Sequence, residues 1–247
     1  MRDFAIIIPA FNEEDYLPAT LAAVCAAVEA MPGWATVVVV DNNSSDQTSE
    51  VAISHGADLV VFEPHNQIAR ARNAGAAAVP QIDHLIFVDA DTRITETILK
   101  AALENLDSGE VAGGGARVLM DDSVTPTVDW IVRIWNWVSV QRQLAAGSFF
   151  FCRREAFDAV GGFDETVYAG EEVWLANRIK RWGKKRGLRF QVLLGETVVT
   201  SARKSSWFST KDFVFQICLF FLFPWATRSR KLCSIWYRRP GDEANEG

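Results

Sequence analysis

Short apolar runs that alternate with longer helical segments constrain the fold of the first half of this chain most strongly. Four runs rich in Val, Ile and Phe are typical of buried strands, at residues 4–8, 36–40, 58–62 and 84–88. The segments between them are richer in Ala and Leu and predict helices, at 13–30, 46–55 and 67–79. Strands that alternate with helices build a parallel sheet with helices on both faces. We therefore expect an α/β fold.

Polar clusters follow three of these strands directly. They have the sequences PAFNEED, DNNSSDQT and DADT, at 9–15, 41–48 and 89–92. The carboxyl ends of parallel strands meet at one edge of a sheet, and ligands bind beyond that edge. We therefore expect the three clusters to lie together and to form the functional site.

The second half of the chain has a less regular pattern. It predicts a strand, a helix, a strand with a short helix and a Gly-Gly turn, an amphipathic helix and two strands, at 111–118, 127–144, 147–165, 170–183, 189–193 and 197–200. In the helix at 127–144, one face carries Trp130, Ile134, Trp137 and Val138. These Trp residues and Trp135 could contact a sugar or a lipid, but we expect at least one to pack in the core. No internal repeat or linker is evident.

Composition excludes several classes of protein. The 247 residues, 49% of them apolar, suit one large core. A net charge of −6 argues against nucleic acid as the main partner. The four cysteines are scattered and form no metal-binding or disulfide pattern, which favours a reduced, cytoplasmic setting. The apolar run before Pro9 is too short for a signal peptide.

Asp89 and Asp91 are the first candidate site residues. Residues i and i+2 of an extended segment face the same side, so both carboxylates can reach one ligand. Such hard oxygen ligands suit Mg²⁺ or Mn²⁺, with substrate phosphate completing the shell. A capped turn is the structural alternative. The phosphatase motif DxDx(T/V) fits poorly, because Arg93 stands four residues after Asp89 and the motif follows the fourth strand.

Other groups at the predicted edge have both a functional and a structural interpretation. Asp41 could accept hydrogen bonds from a base or a ribose, or the polar cluster that follows it could only cap a helix. Arg70 and Arg72 near a helix start suit a diphosphate or a solvated basic face. Glu171 and Glu172 could supply a general base or favourable charge at a helix N-terminus. The GxGxxG and GxxxxGK(S/T) fingerprints are absent.

Six motifs in order resemble the family 2 glycosyltransferases over residues 4–200. They are IIIPAFNEE, VVVVDNNSSDQT, ARARNAG, FVDADT, AGSFFFCRREAFDAVGGFDE and GEEVWLANRIKRWG. The resemblance implies the A-type glycosyltransferase fold, with a Rossmann-like, mostly parallel central sheet flanked by helices. It also implies a nucleotide sugar, UDP- or GDP-linked, as donor, a hydroxyl acceptor of unknown kind, and Mn²⁺ or Mg²⁺ as cofactor.

The resemblance assigns roles to individual residues. Those expected to bind the donor nucleotide are Pro9, Ala10, Phe11, Asn12, Glu14, Asp41, Asn43, Arg70, Arg72, Asn73, Asp89, Ala90 and Asp91. Among these, Asp91 and Asp89 are expected to hold the metal. Those expected on the acceptor side are Gly147, Gly161, Gly162, Phe163, Asp164 and Trp174.

The late acidic pair is expected to supply the catalytic base. The family usually has Glu-Asp there, whereas this chain has Glu171-Glu172. Glu172 takes the aspartate position and is the predicted base, with Glu171 as the alternative. A glutamate can perform the same chemistry with its carboxylate displaced by about one methylene. The implied reaction is a single, inverting, metal-assisted displacement.

The segment after the motifs has a different character. Residues 213–226 are apolar except for Gln216, are flanked by Lys and Arg, and are too few to span a bilayer. We predict a catalytic domain at 1–205, with donor and acceptor halves at 1–118 and 119–205, an apolar and basic helical tail at 206–235, and disorder at 236–247. The tail could meet an anionic membrane surface on the cytoplasmic side, the core, or a second subunit in a homodimer.

Two other classes of function compete with glycosyl transfer. A nucleotidyltransferase also uses a metal and a related sheet, but the segment after its first strand is commonly Gly-rich and basic. This chain has the acidic PAFNEED there, which disfavours that class. A non-catalytic protein that binds sugar nucleotides is disfavoured by the presence of both DxD carboxylates and the late acidic pair.

Overall fold

The apolar runs of the first half form adjacent strands of one sheet. The structure is a computed structural model that describes residues 3–121, 126–203, 207, 215–216, 219–220 and 222–237. Its first strands are β1 (Phe4–Ala10), β2 (Ala35–Asp41), β3 (Leu59–Phe62) and β4 (His84–Val88). β1 pairs in parallel with β2 and β4, and β2 pairs in parallel with β3. The predicted α/β fold with a parallel sheet is confirmed.

The second half adds four strands to the same sheet, β5 (Thr92–Arg93), β6 (Val111–Met120), β7 (Phe149–Arg153) and β8 (Arg189–Thr200). The strand order is β3-β2-β1-β4-β7-β6-β8-β5. β7 is antiparallel to β4 and β6, whereas β6 and β8 are parallel. The two strands predicted at 189–193 and 197–200 are joined in β8, whose register against β6 shifts between them.

Helices cover both faces of this sheet. They are α1 (Leu17–Glu29), α2 (Thr48–Ser54), α3 (Ile68–Ala78), α4 (Glu96–Asp107), α5 (Pro126–Arg142), α6 (Arg154–Ala159), α7 (Glu171–Lys184) and α8 (Ser234–Tyr237). α1 begins later than the predicted residue 13, because Pro18 lacks an N–H donor and suits a first turn. α4 was not predicted from the sequence, although Thr95 caps it by accepting a hydrogen bond from the N–H of Ile98.

Alternate residues of β1 pack on opposite faces of the sheet. Ile6 and Ile8 join one apolar cluster with side chains of α1 and α4, and Ile7 joins a second cluster with side chains of α3 and α7. All three side chains are fully buried. Because the core lies on both faces, loops at the carboxyl edge of the sheet are the part left open to ligands.

A glycine lets α3 approach the sheet closely. A Cβ atom added to Gly75 would lie 2.4 Å from Cγ2 of Ile7 and 2.9 Å from Cγ2 of Val40. A side chain at this position would push the helix away from β1 and β2. The contact therefore fixes the height of Arg72, which lies one turn earlier on the same helix.

The described residues bear on two predictions, that at least one Trp of α5 packs in the core and that residues 213–226 form an apolar helix. On α5, Trp130 and Trp137 are 62% and 66% exposed, whereas Trp135 packs against the core. Of the apolar helix predicted at 213–226, residues 213–214, 217–218 and 221 lie outside the described residues. Its last three residues belong to a 3-10 helix, Pro224–Arg228. A second 3-10 helix, Arg230–Cys233, precedes α8. No helix among the described residues is long and apolar enough to cross a membrane.

The first two residues of the end predicted to be disordered, 236 and 237, are helical. Trp236 and Tyr237 belong to α8, and Tyr237 packs edge-to-face on Tyr168 with ring centroids 5.9 Å apart. Residues 238–247 lie outside the described part of the chain.

Candidate functional site

The loops after the parallel strands border one open pocket. Pro9–Phe11 line it from the end of β1, Asn42 from the end of β2, and Asp89–Asp91 from the turn after β4. Two residues of the C-terminal segment (residues 222–237), Ile235 and Tyr237, line it as well. The parallel sheet thus brings the three polar clusters together, and the far end of the chain completes their surroundings.

The turn after β4 presents two carboxylates and buries the residue between them. Ala90 is 4% exposed, and its carbonyl accepts a hydrogen bond from the hydroxyl of Thr20 at 2.8 Å. The side chain of Asp89 is 36% exposed, and that of Asp91 only 11%. The backbone therefore anchors this turn, and its two acidic groups face the pocket.

Arg72 connects this turn with the late acidic pair. Its buried guanidinium donates to Oδ1 of Asp89 and to Oε1 of Glu171, each at 2.7 Å, and to the carbonyl of Gly147 at 3.0 Å. Burial alone would lower the pKa of Arg72, but Asp89 and Glu171 raise it above its ordinary value. Arg72 therefore stays charged and ties α3, β4 and α7 to one another.

Glu172 differs from Glu171 in its surroundings. Glu171 is 3% exposed and paired with Arg72. Burial, and then repulsion by Glu171, raise the pKa of Glu172 to about 8, whereas Arg72 opposes the shift. A carboxyl with this pKa can hold or release a proton near neutral pH, as a general base requires.

Gly147 leaves room beside these groups. A Cβ atom there would lie 3.2 Å from Nη2 of Arg72 and 3.5 Å from Cδ of Glu172. A side chain at this position would crowd Arg72 and would lie in van der Waals contact with Glu172. This contact gives a physical reason for a glycine at a position predicted to border the acceptor.

Arg203 forms a second charged centre in the pocket. Its guanidinium donates to both carboxylate oxygens of Glu13, at 2.5 and 2.6 Å, and lies 3.1 Å from Oδ2 of Asp91. It also lies 4.3 Å from the centre of the Tyr16 ring. Burial would lower the pKa of Arg203, but hydrogen bonds to Glu13 and the charge of Asp91 raise it. Each acidic group of the DxD turn therefore has its own arginine.

Asp41 already accepts hydrogen bonds from its own loop. Its Oδ1 accepts from the N–H of Ser44 at 2.8 Å and its Oδ2 from the hydroxyl of Ser49 at 2.6 Å. Asn43 lies nearby with φ at +68°. These contacts organise the loop before α2, so the structural interpretation of this cluster applies whether or not a nucleoside also binds there.

The loops after β1 and β2 are joined by side chains. Oδ1 of Asn12 accepts from the N–H of Ser45 at 2.8 Å, and Oε2 of Glu14 accepts from the N–H of Gln47 at 3.0 Å. Asn12 and Glu14 thus hold two predicted donor-binding loops against each other. Neither side chain borders the pocket.

The predicted phosphate-binding residues at the start of α3 divide between two environments. Arg70 lies 3.2 Å from Glu165 and not among the residues of the pocket. The amide of Asn73 donates to the carbonyl of Phe163 and to Glu165, each at 3.0 Å, and its Oδ1 accepts from the N–H of Phe163 at 2.9 Å. Arg70 and Asn73 therefore fix the Gly-Gly-Phe-Asp-Glu turn, while Arg72 faces the acidic centre.

The predicted acceptor-side residues also have structural contacts. Gly161 and Gly162 have φ of +78° and +65° and form the turn. Phe163 is 2% exposed and lies under the guanidinium of Arg72, 5.3 Å from its Cζ atom. The buried Phe163 ring supports the site from below and does not present a surface to an acceptor.

Asp164 and Trp174 contact the C-terminal segment. Arg228 lies 3.4 Å from Oδ2 of Asp164, and its Cζ atom lies 5.4 Å from the centre of the Trp174 ring. The N–H of Tyr168 donates to the carbonyl of Thr227 at 2.7 Å. The C-terminal segment thus packs along the predicted acceptor side and then reaches the pocket.

Eight residues that line this pocket are not among the site residues expected from the sequence: Glu13, Asn42, Asn66, Ile68, Arg203, Trp207, Ile235 and Tyr237. Glu13 lies inside the PAFNEED cluster, so its position gave a signal that was not used. The segment TSAR, which ends at Arg203, was similarly visible. Ile235 and Tyr237 follow an apolar tail and carry no local signal of a role in a donor pocket.

The net charge of the residues around the DxD turn is suited to a divalent cation. Glu13, Asp89, Asp91 and Glu171 contribute four negative charges, and Arg72 and Arg203 contribute two positive ones, which leaves an excess of two negative charges. A diphosphate would be repelled by this cluster unless a cation came with it. Among the described residues no group of three or more His, Cys, Asp or Glu is placed to hold a metal.

Comparison of the sequence with known proteins gives a partial relative. The protein is 40% identical over 106 residues to the uncharacterized glycosyltransferase Rv0539 of Mycobacterium tuberculosis. The match covers 42% of this chain and 44% of that protein, so the shared region spans less than half of either.

Comparison with solved structures supports the fold over more of the chain. The mannosyltransferase PcManGT of Pyrobaculum calidifontis, in complex with GDP-Man and Mn²⁺, matches with a TM-score of 0.67 and 18% identity over 94% of this chain and 64% of that one. The S. aureus protein TarS 1–349, in complex with UDP-GlcNAc, matches with a TM-score of 0.62 and 20% identity over 82% of this chain and 59% of that one. Both likenesses concern the A-type glycosyltransferase fold alone.

A family model decides the assignment. The model of glycosyl transferase family 2 matches residues 5–161, which include β1 to β7 and the DxD turn. This stretch is more than half of the chain and carries the parallel half of the sheet. The protein is therefore a member of glycosyl transferase family 2.

Proposed function

We propose that the protein transfers a sugar from a nucleoside diphosphate sugar to an acceptor hydroxyl, with inversion at the anomeric carbon and Glu172 as the general base. One observation carries this proposal. Arg72 links Asp89 of the DxD turn to Glu171, and the next residue, Glu172, has a half-buried carboxyl whose pKa is raised to about 8. This link supports a site in which the donor and the proton acceptor would lie side by side.

The donor is proposed to bind in the pocket beyond β1 and β4. Pro9–Phe11 and Asn42 would border the nucleoside, and Asp89 and Asp91 would face the ribose and the diphosphate. The structural neighbours support a nucleotide sugar, since one is in complex with GDP-Man and the other with UDP-GlcNAc. Because those two differ in base and sugar, the proposal includes both UDP- and GDP-sugars.

Asp91 and Asp89 are the residues that would hold Mn²⁺ or Mg²⁺. A bound divalent cation would neutralise the negative charge that develops on the departing diphosphate. The excess of negative charge around the DxD turn supports this cofactor, as does the Mn²⁺ in the PcManGT complex. Asp91 would be the main metal ligand, because its side chain is less exposed than that of Asp89.

Glu172 is proposed to take the proton from the acceptor hydroxyl. The acceptor oxygen would approach past Gly147, where the lack of a side chain leaves space beside the Glu172 carboxylate. Glu171 is unsuited to this task, because Arg72 already binds it and it is almost fully buried. Its role would be to hold Arg72, which keeps a positive charge next to the reacting groups.

A panel of ligands tests this function. Purified protein would be mixed with UDP- and GDP-sugars, nucleoside triphosphates and metal ions, and followed by thermal shift and by product release. A ligand at 100 times its Kd should stabilise the protein by about 2.7 kcal/mol. We expect one sugar nucleotide to stabilise the protein and to yield its nucleoside diphosphate.

Two results would favour the competing classes. Release of pyrophosphate from a nucleoside triphosphate and a sugar phosphate would indicate a nucleotidyltransferase. Stabilisation by sugar nucleotides with no product, across lipid and sugar acceptors, would indicate a binding protein. Asp91→Asn serves as the control, because it should remove the metal-dependent part of the stabilisation.

The tail is proposed to contact a membrane surface. Large apolar side chains are exposed in its described part, including Leu222, Phe223 and Trp225, and cations flank it in the sequence. This combination suits the interface of an anionic bilayer. A homodimer that covers the same side chains is the alternative.

A further inference from the structure

Arg203 already neutralises the carboxylate that would bind the metal. It lies 3.1 Å from Oδ2 of Asp91, and Oδ1 of Asp91 accepts from the hydroxyl of Thr200 at 3.2 Å. Both oxygens therefore have partners from the protein itself. Because the side chain of Asp91 is only 11% exposed, water can do little to weaken its attraction to Arg203.

Contacts with Glu13 and Tyr16 hold Arg203 in place independently of Asp91. The two short hydrogen bonds of the guanidinium go to Glu13, whose side chain is 7% exposed, and the ring of Tyr16 lies against it. The contact with Asp91, at 3.1 Å, is longer than either hydrogen bond to Glu13. Arg203 can therefore move off Asp91 while it keeps its bidentate pair with Glu13.

A metal ion without a nucleotide would enter this position against a charge of its own sign. Mg²⁺ binds carboxylate oxygens at about 2.0–2.1 Å, which places it within a few ångströms of the Arg203 guanidinium. The ion would have to replace an existing ion pair and then remain beside a positive charge. A metal that arrives with a diphosphate brings negative oxygens with which the displaced guanidinium can pair.

We propose that Arg203 occupies the cation position at Asp91 in the free protein, so that a divalent metal enters only together with a nucleoside diphosphate. The inference rests on the proposed function, since it concerns the donor site. Arg203 acts here as a positioning residue through Asp91 and Glu13. Because binding linkage is reciprocal, metal should raise nucleotide affinity by the factor by which nucleotide raises metal affinity.

Mn²⁺ binding measured by electron paramagnetic resonance tests this directly, with no need for turnover. Wild-type protein should bind Mn²⁺ weakly alone and at least about tenfold more tightly with UDP or GDP, within the usual range of coupling factors. Arg203→Gln should bind Mn²⁺ alone about tenfold more tightly than wild type, and its further gain from nucleotide should shrink correspondingly. Arg203→Lys retains the charge and should resemble wild type in its low affinity for Mn²⁺ alone.

A double variant separates the release of Asp91 from a general change of charge. Glu13→Gln with Arg203→Gln removes one charge of each sign and also avoids leaving Glu13 buried without its partner. It should bind Mn²⁺ alone as tightly as Arg203→Gln does. Asp91→Asn should abolish tight binding in every background.

Two patterns would overturn the inference. In the first, nucleotide binds, but neither Arg203→Gln nor the double variant Glu13→Gln with Arg203→Gln binds Mn²⁺ alone more tightly than wild type. Arg203 then does not occupy the cation position, and the proposed function still stands. If no UDP, GDP or derived sugar nucleotide binds with or without Mn²⁺, the proposed function fails and the inference fails with it.

Discussion

At the scale of single residues, Arg72 makes the adjacent side chains of Glu171 and Glu172 chemically different. Arg72 binds Glu171 at 2.7 Å and leaves Glu172 next to a buried negative charge. Glu171, which pairs with Arg72, has a structural role. Glu172 has no such ion pair with Arg72, and its raised pKa suits proton transfer. The resemblance favoured Glu172 over Glu171 by its position in the motif, but the sequence could not show that Arg72 binds Glu171.

Glu172→Gln should change how stability depends on pH. The pKa of Glu172 rises from an ordinary value of 4.5 to about 8 in the folded protein. Between these values the unfolded chain has released a proton that the folded chain retains, so the free energy of unfolding falls as pH rises. The variant lacks this fall, and we expect its stability relative to wild type to be greater at pH 8 than at pH 5.

Urea denaturation without metal or nucleotide measures that difference. The matched control is Glu155→Gln, an exposed acidic position on α6, which should shift the free energy of unfolding equally at the two pH values. An equal shift for Glu172→Gln as well would show that its pKa is not raised.

At the scale of elements, the sequence predicted what local patterns determine. The period of the apolar runs identified β1 to β4, and their ends identified Asp89 and Asp91 at the pocket. Contacts between distant parts of the chain could not be predicted in this way. Glu13 and Arg203 are 190 positions apart, and only the completed sheet brings β8 and the segment after it to the end of β1.

Gly75→Ala tests how α3 positions the site. The added Cβ would meet Ile7 at 2.4 Å, so the helix must move, and such overpacking costs about 1–3 kcal/mol of stability. The same movement should displace Arg72 and weaken nucleotide binding. Unfolding and nucleotide titrations would measure both effects. Ala77→Ser, on the exposed side of α3, should leave both nearly unchanged; a similar loss in that control would deny Gly75 its special role.

Tyr237→Ala tests whether α8 belongs to the donor site. The Tyr237 ring lines the pocket and packs on Tyr168, so its removal should reduce nucleotide affinity about tenfold, or 1.4 kcal/mol. Calorimetric titration of the full chain gives the affinity. Trp225→Ala changes an aromatic residue of the same segment that is 64% exposed and should bind nucleotide as wild type does. Unchanged affinity in Tyr237→Ala would separate α8 from the donor site.

At the scale of the whole molecule, the C-terminal segment links the pocket to an apolar surface. It passes Asp164 and Trp174, lines the donor pocket and exposes Phe223 and Trp225. Deletion of the tail would therefore damage the pocket as well as any membrane contact. Substitutions at exposed positions are the cleaner test of its surface role.

The membrane proposal predicts binding to anionic vesicles. Phe223→Ser with Trp225→Ser should reduce the fraction of protein that sediments with anionic vesicles and should leave nucleotide affinity unchanged. Neutral vesicles are the control, because the flanking cations should bind them weakly. Equal sedimentation of variant and wild type would remove these side chains from the proposed contact, and a concentration-dependent dimer that the variant loses would favour the homodimer.

The central claim is that Glu172 takes a proton from the acceptor, and the most direct measurement compares turnover with donor binding in Glu172→Gln. With the donor found in the ligand panel, kcat should fall by about 10²–10⁴-fold, while the Kd for the donor should stay within about twofold of wild type, since that factor is less than 0.5 kcal/mol. Glu172→Asp should recover part of kcat, because it retains a carboxylate. A variant Glu172→Gln that transfers sugar at the wild-type rate, or that loses donor binding and turnover by the same factor, would contradict the claim.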